Sequence, residues 1–307
     1  MNLSTLLKIA VRLLILVAGF VGIAGFVYVL GLWLVPFTDA ADKAILEACN
    51  PDTYAPGLDQ FFRALTDYTN FLIVATLLSW QVAMLFYRLL PKLKSVWVAL
   101  LGIETLAVAV MAILGKIWPN ETYTGVNVLL VLMILAGYGG MTWLFWKLDD
   151  RAMRRFSWVL WLMFLSGLLT GLQATRRIKD AVARPRPLND ANKPWNEQVR
   201  IIPDEVLRGR NSYPSGHTTG TFALLTPLFW YVRRRRLRAG LLSWGILQGV
   251  SRVYTAAHFP FCCLMGGVLG SSVGTLIFFT LGGPSLWQDT GPSPNTEEAP
   301  PPSSQPA

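Results

Sequence analysis

Charged residues are scarce in this 307-residue chain: Asp, Glu, Lys and Arg make up 15% of it, against roughly 25% in a typical soluble domain. Since 53% of the residues are hydrophobic, that shortage argues against a water-soluble globule and for lipid surroundings. Histidine is rarer still, with two copies, and the three cysteines are too few for a disulfide framework. No cluster of His, Asp or Glu has the spacing of a metal site, so no metal or other cofactor is expected. Nor does the net charge of +9 point to nucleic acid, because the basic residues are scattered among apolar runs and form no single polar domain.

What is present is apolar length. Stretches long enough to cross a bilayer core, about 20 residues each, fall near 12–36, 69–87, 96–118, 127–147, 157–175, 217–232, 239–258 and 261–282. The fold class expected is therefore an all-α membrane protein with about eight transmembrane helices. Lys8 and Arg12 precede the first run as in a signal peptide, but that run is too long for a cleaved segment and reads as an anchor, 1–36. Twelve tryptophans and nine tyrosines suit the headgroup level. Residues 283–307, rich in Pro, Ser and Glu, read as a disordered cytoplasmic tail.

Every second connection is basic: Lys8 and Arg12; Arg88, Lys92 and Lys94; Lys147, Arg151, Arg154 and Arg155; Arg233 to Arg236 and Arg238. Lysine and arginine near span ends stay in the cytoplasm, so the connections around 37–68, 119–126 and 176–216 are expected to face outward.

Both histidines fall at outward span ends. His217 lies in Tyr213-Pro214-Ser215-Gly216-His217, where a small pair opens a span and free N–H groups at a helix start make an anion site. His258 follows Ser251-Arg252, and a charge such as Arg252 inside a span is a functional signal. On one continuous helix Ser251 and His258 would share a face about 10 Å apart. Arg176, Arg177, Lys179, Arg184 and Arg186 crowd an outward loop that topology alone would leave poor in positive charge, and Pro185 and Pro187 would fix the direction of Arg184 or Arg186. Each segment alone has a plain explanation: an interfacial histidine, an ordinary helix cap, or basic residues near headgroups.

Together, Lys179 with Arg186-Pro187, then Pro214-Ser215-Gly216-His217, then Ser251-Arg252 with His258, resemble the three-part signature of the type 2 phosphatidic acid phosphatase superfamily, in order and in spacing. That superfamily also includes class A acid phosphatases and vanadium haloperoxidases. The resemblance implies a phosphatase core at 176–282, with His258 attacking phosphorus, His217 protonating the leaving lipid oxygen, and Lys179, Arg186, Arg252, Ser215 and the Gly216 backbone holding the phosphoryl oxygens. It also implies a lipid phosphate substrate, no metal, and a site on the periplasmic or extracytoplasmic side of a bacterial inner or plasma membrane. The segment 37–175 supplies further spans, and 96–147 reads as a hairpin added to the six spans usual in bacterial members.

The chain departs from the pattern at Cys262, where family members place an aspartate that orients the second histidine. A thiol is a weak hydrogen-bond partner. Open readings are a slow phosphatase or phosphotransferase, an aspartate supplied from elsewhere, a silent lipid-phosphate binder, or a transporter or scaffold on the same spans. Cys262, Gly266, Gly270 and Gly274 recur every four residues, an interval that lets helices approach closely and would point Cys262 at His258. A bridge from Cys49 to Cys262 or Cys263 is a further option. Selection among lipid phosphates is assigned to the outer loop 188–213 with Trp195, and the oligomeric state is not legible.

Overall fold

The computed structural model describes residues 2–50, 55–113, 128, 131–187, 199–200 and 211–282. Every regular element among them is a helix: α1 (Leu3–Cys49), α2 (Pro56–Leu89), α3 (Lys94–Ile113), α4 (Gly140–Lys147), α5 (Asp150–Leu168), α6 (Arg176–Val182), α7 (Gly216–Tyr231), α8 (Arg235–Tyr254) and α9 (Pro260–Ile277). A π-helical turn over Leu169–Thr175 joins α5 to α6 into one rod. The chain is an all-α membrane protein.

Five helical runs among the described residues are long and apolar enough to cross a membrane: Leu3–Cys49, Asn70–Leu89, Pro91–Val110, Asp150–Val182 and Pro260–Gly282. The count of eight is not reached. Helix α7 has 16 residues and α8 begins with three arginines in its first four positions, so neither is an apolar run of spanning length. The stretch expected at 127–147 lies partly outside the described residues and is otherwise a π turn followed by the eight-residue α4.

The outward connection expected at 37–68 is not a loop. Helix α1 runs through Pro36 to Cys49, and α2 starts at Pro56, so most of that segment is helix. The sequence explains it: residues 37–49 hold good helix formers, with Lys43 paired to Asp39 one turn away at 2.7 Å. Asn50 then closes the helix, its N–H returning to the Leu46 carbonyl. The tail 283–307 and most of the loop 188–213, Trp195 included, lie outside the described residues.

Among the described residues the most extensive helix packing is between α7 and α9. A methyl group on Gly270 would stand 2.3 Å from the Thr219 carbonyl oxygen, one on Gly266 2.7 Å from that of Ser215, and one on Gly274 2.7 Å from Thr226 Cβ. The four-residue stripe is thus a seam that only hydrogen side chains permit. Helices α1 and α5 flank this pair, burying Leu160, Val273 and Ile277 at its core. Helix α1 is keyed to the pair by Tyr213, whose ring lies against Gly31 and whose hydroxyl donates to the Val27 carbonyl at 2.7 Å.

Candidate active site

The turn before α7 is shaped by its own residues. Ser215 is the N-cap, its Oγ accepting from the Thr218 N–H at 3.4 Å and its carbonyl from the Thr219 N–H at 2.9 Å. Its own N–H donates to the Cys262 carbonyl at 2.9 Å, which locks the cap onto α9. Gly216 opens the first turn facing Lys179, where an added methyl would lie 4.0 Å from Nζ. His217 follows in the same turn, its carbonyl accepting from Asn70 of α2 at 3.0 Å.

The π turn ahead of α6 adds a residue to the helical register at the mouth of the site, a place where such turns recur in proteins. Ala183, in the left-handed region at φ 51°, ends α6. The chain then passes as an isolated bridge from Pro185 to Asn211, and Lys179 Nζ donates to the Asn211 carbonyl at 3.3 Å. A cavity of about 330 Å³ opens here, lined by Gly171, Thr175, Arg176, Lys179, Arg186 and Asn211. The buried Thr175 Oγ1 has no hydrogen-bond partner among the described residues.

His258 does not share a helix face with Ser251. Helix α8 stops at Tyr254, and Ala256 at φ 51° turns the chain back, so that the N–H groups of Ala257 and His258 both return to the Arg252 carbonyl, at 3.0 and 3.1 Å. The reversal buries His258 completely and separates it from Ser251, whose Oγ accepts from Thr66 of α2 at 2.8 Å. The ring Nδ1 lies 2.8 Å from the Ser212 carbonyl oxygen. A carbonyl only accepts, so Nδ1 carries the proton and Nε2 holds a lone pair. Nε2 is buried with no hydrogen-bond partner among the described residues, and Lys179, Arg186, Arg252 and His217 all lie within electrostatic reach of the ring. The three motif segments, far apart in sequence, thus converge on one point.

Cys262 is near that point without bonding the ring. The Ser212 side chain stands between them, its Oγ 3.2 Å from His258 Nδ1 and 3.3 Å from Cys262 Sγ. Arg184 Nη1 reaches Cys262 Sγ at 3.5 Å and Asp42 Oδ2 at 2.7 Å. Asp42 also accepts from the Phe261 N–H at 2.7 Å, so a carboxylate of α1 caps α9, whose own N-cap Phe259 offers no side-chain oxygen. Arg184 packs over the Phe259 ring at 4.0 Å. All three cysteines are free thiols, so the bridge from Cys49 is not formed.

Sequence reasoning missed Asp42 and Ser212. A further anchor it missed closes the same end of the bundle. Arg200 forms a two-pronged pair with Asp59 of α2, at 2.9 and 2.7 Å, and Tyr254 donates to the same carboxylate at 2.7 Å. Asn50, the C-cap of α1, donates to the carbonyls of Arg200 and Tyr254 and accepts from the Arg200 N–H. Burial alone would raise the Asp59 carboxyl, yet the bonds from Arg200 and Tyr254 and the Arg200 charge hold it below its ordinary value. None of these residues follows a period or motif that marks it in the sequence.

Comparison with known proteins places this site in a family. Residues 155–282 match the model of the PAP2 superfamily. The chain is 28% identical over 102 residues to the lipid A 4'-phosphatase of Bacteroides thetaiotaomicron, covering 33% of this chain and 44% of that protein. It is 32% identical over 137 residues to "Probable lipid phosphate phosphatase 4" of Arabidopsis thaliana, covering 37% of this chain and 44% of that one. Identity to the undecaprenyl-diphosphatase BcrC of Bacillus subtilis is 34% over 67 residues, 22% of this chain and 34% of that one. The chain thus spans less than half the length of each of these relatives. No solved structure matches it. Sequence motif, model match and relatives agree, and residues 155–282 of this chain belong to the PAP2 superfamily.

Proposed function

We propose that this chain is an integral membrane phosphatase that removes phosphate from a lipid phosphomonoester or diphosphate by way of a phosphohistidine on His258. The observation that carries the reading is the state of that ring: Nδ1 occupied by a carbonyl, Nε2 unbonded and buried, and four cationic or titratable side chains around it. The Nε2 lone pair attacks phosphorus as the bond from phosphorus to the lipid oxygen breaks, and protonated His217 gives its proton to that oxygen. Water then attacks phosphorus, passing a proton to His217, while the bond from phosphorus to nitrogen breaks and returns its electron pair to Nε2. Lys179, Arg186, Arg252, Ser215 and the Gly216 N–H hold the phosphoryl oxygens, which is most of what such a transfer requires of a protein. The relatives named as lipid phosphatases support the substrate class.

On this reading the site faces the periplasmic or extracytoplasmic side, because the exposed arginines Arg233 to Arg236 lie at the far end of α7 from His217. The neutral Cys262 beside the ring favours a second reading, a lipid-phosphate binder with little or no turnover. One assay separates the two. Purified protein is given phosphatidate, phosphatidylglycerophosphate, a polyprenyl diphosphate and lipid A, and released phosphate is measured beside binding. Release that vanishes in His258→Ala, together with acid-labile labelled phosphate on wild-type protein, is the expected result. Binding without release from any of the four, or full activity in His258→Ala, sinks the phosphatase reading.

A further inference from the structure

Among the described residues, no carboxylate touches the His258 imidazole at the centre of this site. Its Nδ1 is held by the backbone of Ser212 instead, at 2.8 Å. That residue is itself fixed at two other groups: the Ser212 N–H donates to the Arg184 carbonyl at 2.6 Å, and its Oγ to Cys262 Sγ at 3.3 Å. Arg184 is therefore joined to Ser212 through its backbone and to Cys262 through its side chain. The same Arg184 Nη1 also donates to Asp42, whose two oxygens are divided between Arg184 and the Phe261 N–H, with Thr38 Oγ1 at 3.4 Å. Both side chains of the Arg184–Asp42 pair are 3% exposed.

We infer that Asp42 of the first helix, acting through Arg184 and the Ser212 peptide, is the positioning carboxylate of this site, in place of one at position 262. This rests on the proposed role of His258 as the nucleophile. The physical argument has two parts. A carbonyl fixes the ring tautomer as well as a carboxylate does, since it accepts from Nδ1 and leaves the lone pair on Nε2. It cannot hold the ring still unless its own peptide is held, and here that duty falls to Arg184, which Asp42 keeps charged, buried and aimed. A buried guanidinium without Asp42 would have Cys262 Sγ and the half-exposed Asp39, at 3.4 Å, as its remaining charged or polar partners. Asp42 and Arg184 touch no reacting atom. They are positioning residues.

The test uses the full chain and its two histidines. Protein labelled with ¹⁵N-histidine carries two imidazoles, and His217→Ala assigns them. In the wild type, His258 is expected as a single tautomer with the proton on Nδ1. In Asp42→Asn that signature is expected to give way to mixed tautomers, and kcat on the lipid phosphate turned over best to fall on the order of tenfold with KM within about twofold. Adding Cys262→Asp to Asp42→Asn places a carboxylate where Arg184 and Ser212 already point, and is expected to restore both kcat and tautomer, whereas adding Cys263→Asp is not. Arg184→Lys, which keeps the charge and loses the fork, serves as the second variant should Asp42→Asn not insert, and the same loss of signature is expected. Wild-type kcat and an unchanged His258 signature in Asp42→Asn would overturn the inference, as would a loss of kcat with the signature intact. If the wild type releases phosphate from no lipid in the panel, the phosphatase reading fails, while the ¹⁵N spectra still report on the positioning.

Discussion

The two ends of this bundle carry charge in opposite ways. At the end that holds His217 and His258, arginines are paired with buried carboxylates of the helices: Arg184 with Asp42 of α1, Arg200 with Asp59 of α2. At the other, Arg233 and Arg234 before α8 and Arg235 and Arg236 in its first turn stand exposed. An exposed basic cluster next to lipid records which side of the membrane a loop stays on. A buried pair contributes little net stability by its attraction, because both ions are desolvated, yet it fixes which groups meet. On the proposed function, charge that is costly to place marks the working end of the molecule, and charge that costs little marks its orientation.

That comparison is broken most sharply by removing one member of a buried pair. Asp59→Asn leaves the Arg200 guanidinium without its carboxylate, and thermal unfolding in detergent is expected to show a loss on the order of 3 kcal/mol. The pH dependence has a defined sign. The Asp59 carboxyl is held below its ordinary value, so its contribution is fully present above the unfolded pKa of about 4 and is lost as pH falls through the lowered folded value. Wild-type stability should therefore drop in acid more steeply than that of Asp59→Asn, and parallel curves would show that the pair is not stabilising.

The seam between α7 and α9 lets the two ends be compared at constant chemistry. Gly266→Ala pushes on the Ser215 carbonyl, at the site, and Gly274→Ala pushes on Thr226, about two turns away toward the basic end. Both are expected to cost about 1–3 kcal/mol by overpacking. On the proposed function, turnover should fall roughly tenfold in Gly266→Ala and less than about twofold in Gly274→Ala. Equal losses of turnover would mean that the seam acts on the site as a single rigid unit.

The smallest effect belongs to the exposed end. Arg235→Ala is expected to change stability by less than about 0.5 kcal/mol. Orientation is read separately, with single cysteines at Gly57 and Arg235 in a background lacking the three native ones. An impermeant thiol reagent applied to intact cells should label the first and spare the second. The reverse result would invert the proposed topology and leave the site chemistry untouched.

How much of this was legible in the sequence follows from the range of the interactions. The all-α membrane class, the three converging motifs and the close seam at Gly266, Gly270 and Gly274 were readable, because apolar length, short fixed spacings and a four-residue period are local signals. The loop drawn at 37–68 was wrong because a drop in hydropathy was read as the end of a helix, whereas a helix leaving lipid keeps its backbone bonds if its residues favour them. Ser251 and His258 were placed on one face because nothing in the string between them announces the left-handed turn at Ala256. Asp42 and Ser212 went unseen because they matter only through partners 142 and 46 residues away. Cys262 was read for what it lacks, and the Ser212 carbonyl 2.8 Å from His258 Nδ1 was not foreseen.

The first helix is fastened at two depths, by the Tyr213 hydroxyl at Val27 and by Arg184 and the Phe261 N–H at Asp42. Fifteen positions apart on the helix, the two fastenings lie roughly 22 Å from each other along the axis, most of the thickness of a hydrocarbon core. A rod pinned at two heights can neither slide nor spin. In a bilayer thinner or thicker than the one it suits, this helix cannot adjust alone as a single anchor would: the whole bundle tilts, or the lipid around it deforms. One residue inserted between Val27 and Asp42 would turn the carboxylate by about 100° away from Arg184, so what looks like a membrane tether is, in mechanical terms, an indexed part.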